Sequence, residues 1–273
     1  MESARLDKDM ISQPELWKLV LMIGDERLEA GLFPPVAREE MIWRSYRFDP
    51  AAPSKLKALE DIIYDNPLLL CDFKQVDCII DYTSQTILPA GLDDISAETL
   101  YRACTDSTDL PETYATGCSN AVVALSQEPD IRAFISRTFF NVKFDSRIAA
   151  LCRYFTSEQS RIKGMRMYVP VRDRRLTVIA LDGDRLLMAN DFRFNSDMDA
   201  AYYILASMQQ LGMDADNATV AVGSAGSVTD GLMDTLRIYL PEVRPLPFPM
   251  LRYRATKHTL QAPLDIIIRP ICE

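Results

Sequence analysis

Two short turns and one glycine- and serine-rich junction hold the residues of this chain best suited to chemistry. The first turn is Gly24-Asp25-Glu26-Arg27, between the apolar runs LWKLVLMIGD and RLEAGLF. A glycine lets backbone approach a phosphate oxygen closely, and an aspartate beside it can hold a metal ion or orient water. The same turn, however, would set two carboxylates against a phosphate chain. The second turn, Val171-Arg172-Asp173-Arg174-Arg175, has three arginines and no glycine. It can attract an anion only through side chains, and a solvated hairpin tip is the simpler reading. The third feature is AVGSAGSVTDG, from Ala221 to Gly231. Its small residues let a ligand ring reach the backbone, and a helix starting near Thr229 favours an anion. An ordinary strand-to-helix connection has the same composition. The candidate ligand-binding residues are therefore Gly24, Asp25, Gly223, Ser224, Gly226 and Ser227. No catalytic residue and no metal ligand is assigned.

Other chemistries are poorly supplied. Asp25, Asp77, Asp81 and Asp182 fall at strand ends, where a nuclease-type metal site gathers its acids. Only Asp77 and Asp81 share strand parity, and two acids are too few. The single histidine, His258, lies in the polar stretch RYRATKHT, which reads as a solvated basic face. The P-loop, dinucleotide-binding and nucleophile-elbow motifs are all missing. Six cysteines show no C-x-x-C spacing and several sit in apolar runs, so they are expected to be reduced packing residues.

The elements that must position these residues occur in an order that appears twice. The first copy runs through LWKLVLMIGD, RLEAGLF and MIWRSYRF, then a helix from Pro53 to Tyr64, then VDCIIDY. The second runs through MRMYVPV, RLTVIAL and RLLMANDFRF, then a helix from Asp197 to Leu211, then ATVAVG. Hydrophobic spacing at Leu56, Leu59, Ile62 and Ile63 marks the first helix, and Asn66-Pro67 ends it. In the second helix Ala200, Tyr203, Ile204, Met208 and Leu211 are spaced to face a core. This order predicts an α/β chain with a duplicated ribonuclease-H-like fold, the plan of the actin-like ATPases. Two βββαβα-type halves, 15–160 and 161–273, would each carry a mixed sheet flanked by helices.

Between the repeats, TILPAGL is expected to continue or follow the fourth strand. SAETLYRAC opens a helix at Ser96, and residues 105–117 read as a polar loop. NAVVALS is a strand, EPDIRAFISRTF a helix and NVKF a short strand, followed by a helix capped by Asp145. Thr229 to Tyr239 is a helix and VRPLPF a short strand. The opening dozen residues are expected to be loose. DIIIRPIC at the other end is too apolar to leave in water, although its conformation is not legible.

With 273 residues, 48% of them hydrophobic, the chain can build a sizeable core. A net charge of −9 opposes nucleic acid or an anionic membrane as a general partner. Neither a signal-peptide core nor a membrane-spanning run is legible, which predicts a cytoplasmic protein.

Several passages resemble an uncharacterised domain-of-unknown-function family of the Bacteroidetes with an actin-like ATPase fold. They are EDIIYDNPLLL (Glu60 to Leu70), LLMANDFRF with the following DAAYYILASMQQLGM, and the terminal CE. The resemblance runs from about Leu16 onward and implies the fold, with no activity to carry over. The wider actin-like group, with members in cell division and pilus assembly, implies ATP and Mg²⁺ held between two glycine-rich hairpins. This chain departs from that pattern at both hairpins. The expected function is therefore a non-catalytic binding or scaffold component whose inter-half cleft takes a protein partner or small ligand. The alternative is an atypical nucleotide-binding ATPase or sugar-kinase-like phosphotransferase, with Asp25 at the metal and Gly223 to Ser227 around the adenine.

Overall fold

A computed structural model describes residues 4–36, 39–82, 84–91, 95–106, 109–159, 164–214, 218–223, 230–247, 249 and 261–271. The first copy of the repeat forms β1 (Lys18–Gly24), β2 (Arg27–Phe33), β3 (Ile42–Arg47), α1 (Lys55–Asp65) and β4 (Gln75–Asp81). An excursion follows through β5 (Gln85–Pro89), α2 (Ala97–Cys104), β6 (Glu112–Ala115), β7 (Ala121–Leu125) and α3 (Pro129–Thr138). The chain then returns through β8 (Lys143–Ser146) and α4 (Arg147–Gln159). The second copy is β9 (Met165–Arg172), β10 (Arg175–Asp182), β11 (Arg185–Arg193), α5 (Asp197–Gln210) and β12 (Thr219–Gly223). It ends with α6 (Asp230–Arg237), β13 (Val243–Pro245) and α7 (Leu264–Ile268).

The duplication is exact at the level of strand order. One sheet runs β3-β2-β1-β4-β8 and the other β11-β10-β9-β12-β13. In each, the first three strands are antiparallel neighbours, and the last two run parallel to the first. A third, three-stranded sheet, β5-β7-β6, is covered by α2 through Tyr101, Leu88 and Ala124. The TILPAGL run therefore starts a separate sheet. β6 occupies part of the expected polar loop, because its short, half-exposed ETYA segment carries almost no hydrophobic signal.

Both large sheets are buried on two faces, which explains why their central strands read as near-continuous apolar runs. On β1, Leu19, Leu21 and Ile23 meet α1 and α3, whereas Val20 and Met22 point to the other face. There they meet Ile266 and Ile267 of α7. In the second sheet, Met167, Val169 and Val178 pack on α5 and α6. Tyr168, Ile179 and Ala221 face α4, together with Leu264 and Ile268 of α7. The helices α4 and α7 thus lie between the two sheets, and every residue of α7 is buried. Gly31 of β2 makes room for this wedge. A Cβ there would lie 2.5 Å from Ile266 Cγ2.

Three local expectations are corrected. The N-terminal arm is tied down: the Leu6 amide donates to Asn66 Oδ1 at 2.8 Å, and the Leu6 side chain is fully buried. α1 starts at Lys55, not at Pro53, and Ser54 caps it, its side chain accepting from the Lys57 amide. Asp145 belongs to β8 and does not cap α4. Its carboxylate pairs with Arg153 and Arg269, while the Ser146 hydroxyl accepts from the Ala149 amide at 3.4 Å. The buried thiols of Cys78 and Cys152 are pushed up by burial, as suits packing residues. The expected division at 160/161 and His258 lie outside the described residues.

Candidate functional site

The two hairpin turns face one another across the cleft between the sheets. The β1–β2 turn carries Asp25 and Glu26, both exposed, after Gly24 at the end of β1. The β9–β10 turn is a two-residue connection through Asp173 and Arg174, with φ of 47° and 59°. Both central residues are left-handed, as a tight hairpin turn requires, although neither is glycine. An ion pair joins the turns directly: Arg27 Nη1 donates to Asp173 Oδ2 at 2.7 Å. The cavity between them measures about 640 Å³ and is lined by seven arginines, six carboxylates and no lysine.

A lattice of arginines and carboxylates crosses the floor of this cleft. Arg175, at the start of β10, grips Asp81 at the end of β4 with two hydrogen bonds of 2.7 and 3.1 Å. The same guanidinium also donates to Asp191 of β11. Arg147, the first residue of α4, is more deeply buried. It donates to Thr177 Oγ1 at 2.9 Å and Asp191 Oδ1 at 3.3 Å. Its Nε lies 3.1 Å from Asp265 of α7 and 3.8 Å from Asp81. Arg172 donates to Glu29 of β2, which is fully buried, and Ser45 stands across from Glu29 in the β2–β3 register. Arg269 donates to Asp77, which is fully buried, at 2.9 Å.

Protonation behaviour follows from this pairing. Burial alone would raise Asp191, but Arg147 and Arg175 outweigh it and hold the carboxyl below its ordinary value. Burial raises Glu29 above its ordinary value, an effect that Arg172 only partly offsets. Arg147 is desolvated, but Asp265, Asp81 and Asp191 together keep its proton bound more tightly than usual.

Three of the six sequence candidates have a place among the described residues. Gly24 and Asp25 line the 640 Å³ cavity. Gly223 ends β12 and borders an adjoining cavity of about 440 Å³, which shares Arg27, Glu29 and Arg172 with the first. The smallness of Gly223 has a packing cause: a Cβ there would lie 2.4 Å from Leu246 Cβ. Ser224, Gly226 and Ser227 lie outside the described residues. Of the four strand-end acids, Asp81 is beside Gly24 in the β1–β4 register, and Asp182 ends β10 far from the Arg172–Arg175 turn. Asp77 is buried on Arg269. Among the described residues no cluster of three or more His, Cys, Asp or Glu is arranged to hold a metal ion.

Sequence reading missed Glu29, Arg147, Asp191 and Asp265. Three of them carried a usable signal. Glu29, Arg147 and Asp265 each interrupt or abut a run that is otherwise apolar (LEAGLF, RIAALC, LDIII). A charge so placed is buried, and a buried charge demands a partner.

The sheet order and the opposed hairpins define the class: a duplicated ribonuclease-H-like protein with the actin-like ATPase fold. A Bacteroides thetaiotaomicron protein with actin-like ATPase fold and unknown function matches with a TM-score of 0.76 and 17% identity. The match covers 99% of this chain and 100% of that one. The PilM–PilN type IV pilus biogenesis complex contains a chain matching at TM-score 0.59 and 11% identity, over 95% of this chain and 98% of that one. The family model for a protein of unknown function, DUF3822, matches residues 7–243, and the chain belongs to that family. Comparison with curated proteins found no match.

Proposed function

We infer that this protein is a non-catalytic member of the actin-like class, a cytoplasmic binding or scaffold component whose inter-half cleft holds a partner or small ligand. The two units we assign, 15–160 and 161–273, would form the walls of that cleft. One observation carries the reading. Asp81, beside Gly24 of the first hairpin in the β1–β4 register, is bound by Arg175 in two hydrogen bonds and lies near Arg147. A carboxylate held in that way has guanidinium groups as its counter-charge, which leaves its oxygens little free to hold a metal ion. Mg²⁺ is bound through carboxylate oxygens, so the donor set between the hairpins suits it poorly. A Mg-nucleotide therefore fits the residues around Asp81 poorly. The pilus-biogenesis neighbour, solved as a complex with a second protein, supports a role in assembly.

One observation favours the second reading, an atypical nucleotide-binding phosphotransferase. Asp25 is exposed, lines the cavity and has no hydrogen bond or ion pair among the described residues. Calorimetric titration with ADP, with and without Mg²⁺, separates the two. The scaffold reading predicts no Mg²⁺-dependent binding. Mg²⁺-dependent binding that disappears in Asp25→Ala would replace it with the phosphotransferase reading. Gly223 is unsuitable for this test, because any larger residue there collides with Leu246.

A further inference from the structure

The ionic lattice leaves a residue of charge that it does not use. Arg27 and Arg175 occupy equivalent positions in the two halves, each the first residue of the second strand. Each has an arginine directly across from it on the third strand: Arg27 pairs in register with Arg47, and Arg175 with Arg193. Like charges directly opposite one another destabilise a sheet, unless something neutralises them. Arg27 and Arg175 are neutralised by Asp173 and Asp81 across the cleft. Arg47 and Arg193 are not. Neither side chain has a hydrogen bond or ion pair among the described residues, yet both line the 640 Å³ cavity. Arg174 joins them from the second turn. It holds a left-handed conformation at φ 59°, where a side chain is costly, and its one polar contact is a long 3.5 Å bond to the Asn195 carbonyl.

Thus a chain of net charge −9 presents three unmatched arginines, and no lysine, in one cleft. Arginine's planar fork suits oxyanions, which it binds through paired hydrogen bonds. A cavity of this volume exceeds what a single phosphate needs and falls within the range for small-molecule sites. We propose that Arg47, Arg174 and Arg193 form a metal-independent site for a small polyanion of the pyrophosphate or organic bisphosphate class, bridging the two halves. The site rests on the cleft-binding reading and gives its ligand a chemical class. Arginine side chains replace the metal ion and the glycine-rich backbone as the source of positive charge. Asp25 and Glu26, the unmatched carboxylates of the same cavity, oppose the anion.

This opposition sets a sign that tests the proposal. Calorimetric titration of the full chain with sodium pyrophosphate in excess EDTA should show saturable binding. The double variant Arg47→Ala/Arg193→Ala should weaken it at least tenfold, and Arg→Lys at both sites should restore it in part. Both side chains are exposed and at strand ends, so thermal midpoints without ligand should stay close to wild type. Asp25→Asn/Glu26→Gln should tighten binding several-fold. Tricarballylate, a carboxylate polyanion, should bind more weakly than pyrophosphate if phosphate chemistry is selected. Heats no greater than those of sodium chloride at equal ionic strength would overturn the site. So would binding unaltered in the double arginine variant. Binding that requires Mg²⁺ and weakens in Asp25→Asn would overturn it in favour of a metal-nucleotide site. Absence of pyrophosphate binding leaves the scaffold reading intact, whereas Mg²⁺-dependent ADP binding would overturn that reading separately.

Discussion

Arg147 shows how much a single side chain can organise. Its guanidinium, on the first residue of α4, touches carboxylates from both sheets and from α7, so it ties three parts of the molecule at one point. Removing one partner of a buried ionic group leaves the others uncompensated, which typically costs about 3–5 kcal/mol. Arg147→Met is expected to lower stability by roughly 3 kcal/mol in urea unfolding at neutral pH. The acid limb of the stability curve should change with it. Asp191 is held below its ordinary value, so its contribution is complete above the unfolded carboxylate range and is lost as pH falls through its depressed folded value. Without Arg147 that depression shrinks, and the fall in stability on acidification should be shallower than in wild type. Glu29 has the opposite sign: its raised value favours the folded state where it is protonated, an advantage lost as pH rises through that value. Parallel acid limbs in wild type and Arg147→Met would contradict the assignment. At this scale the sequence was partly legible. Arg172 to Arg175 stood out as a charged turn, but Arg147 and Glu29 each look like one charge in an apolar stretch until topology supplies the partner.

The element that matters most is the shortest of the α-helices. α7 has five residues, all buried, and it fills the space between the sheets that the cleft would otherwise occupy. Its amino acids announced burial, because DIIIRPIC cannot stay in water, but not its helical form. A five-residue helix has too little internal hydrogen bonding to be specified locally. Its conformation comes from the two sheets that grip it. Gly31 is the matching notch, and the pair makes a coupled prediction. Gly31→Ala forces a Cβ to within 2.5 Å of Ile266 Cγ2 and is expected to cost about 1–3 kcal/mol. Ile266→Ala alone should cost roughly 2–5 kcal/mol. Because the second change removes the atom that the first collides with, the double variant should be less destabilised than the sum, as read by a thermal or urea double-mutant cycle. Strict additivity would mean that α7 does not seat against β2 as described. β6 illustrates the opposite limit of legibility. Its four residues, half-exposed and polar, take their strand form from pairing with β7.

Across the whole molecule, order carried more information than identity. The two copies of strand-strand-strand-helix-strand were readable because the central strands are apolar on both faces and each helix keeps its spacing. Their assembly into sheets of identical order follows that repetition. The cleft's chemistry was less readable, since it is made of pairs such as Arg175–Asp81 and Arg172–Glu29, whose members lie 94 and 143 residues apart. No turn motif encodes such a pair. The same distance in sequence is what lets the two halves clasp each other through side chains. In our account that clasp defines a binding shell and not a hydrolase. The most direct test is phosphate release from Mg-ATP by the purified chain, compared with Asp25→Asn. The account predicts that both release phosphate at the rate of the protein-free control. Turnover by the wild type that falls to that control rate in Asp25→Asn would contradict it.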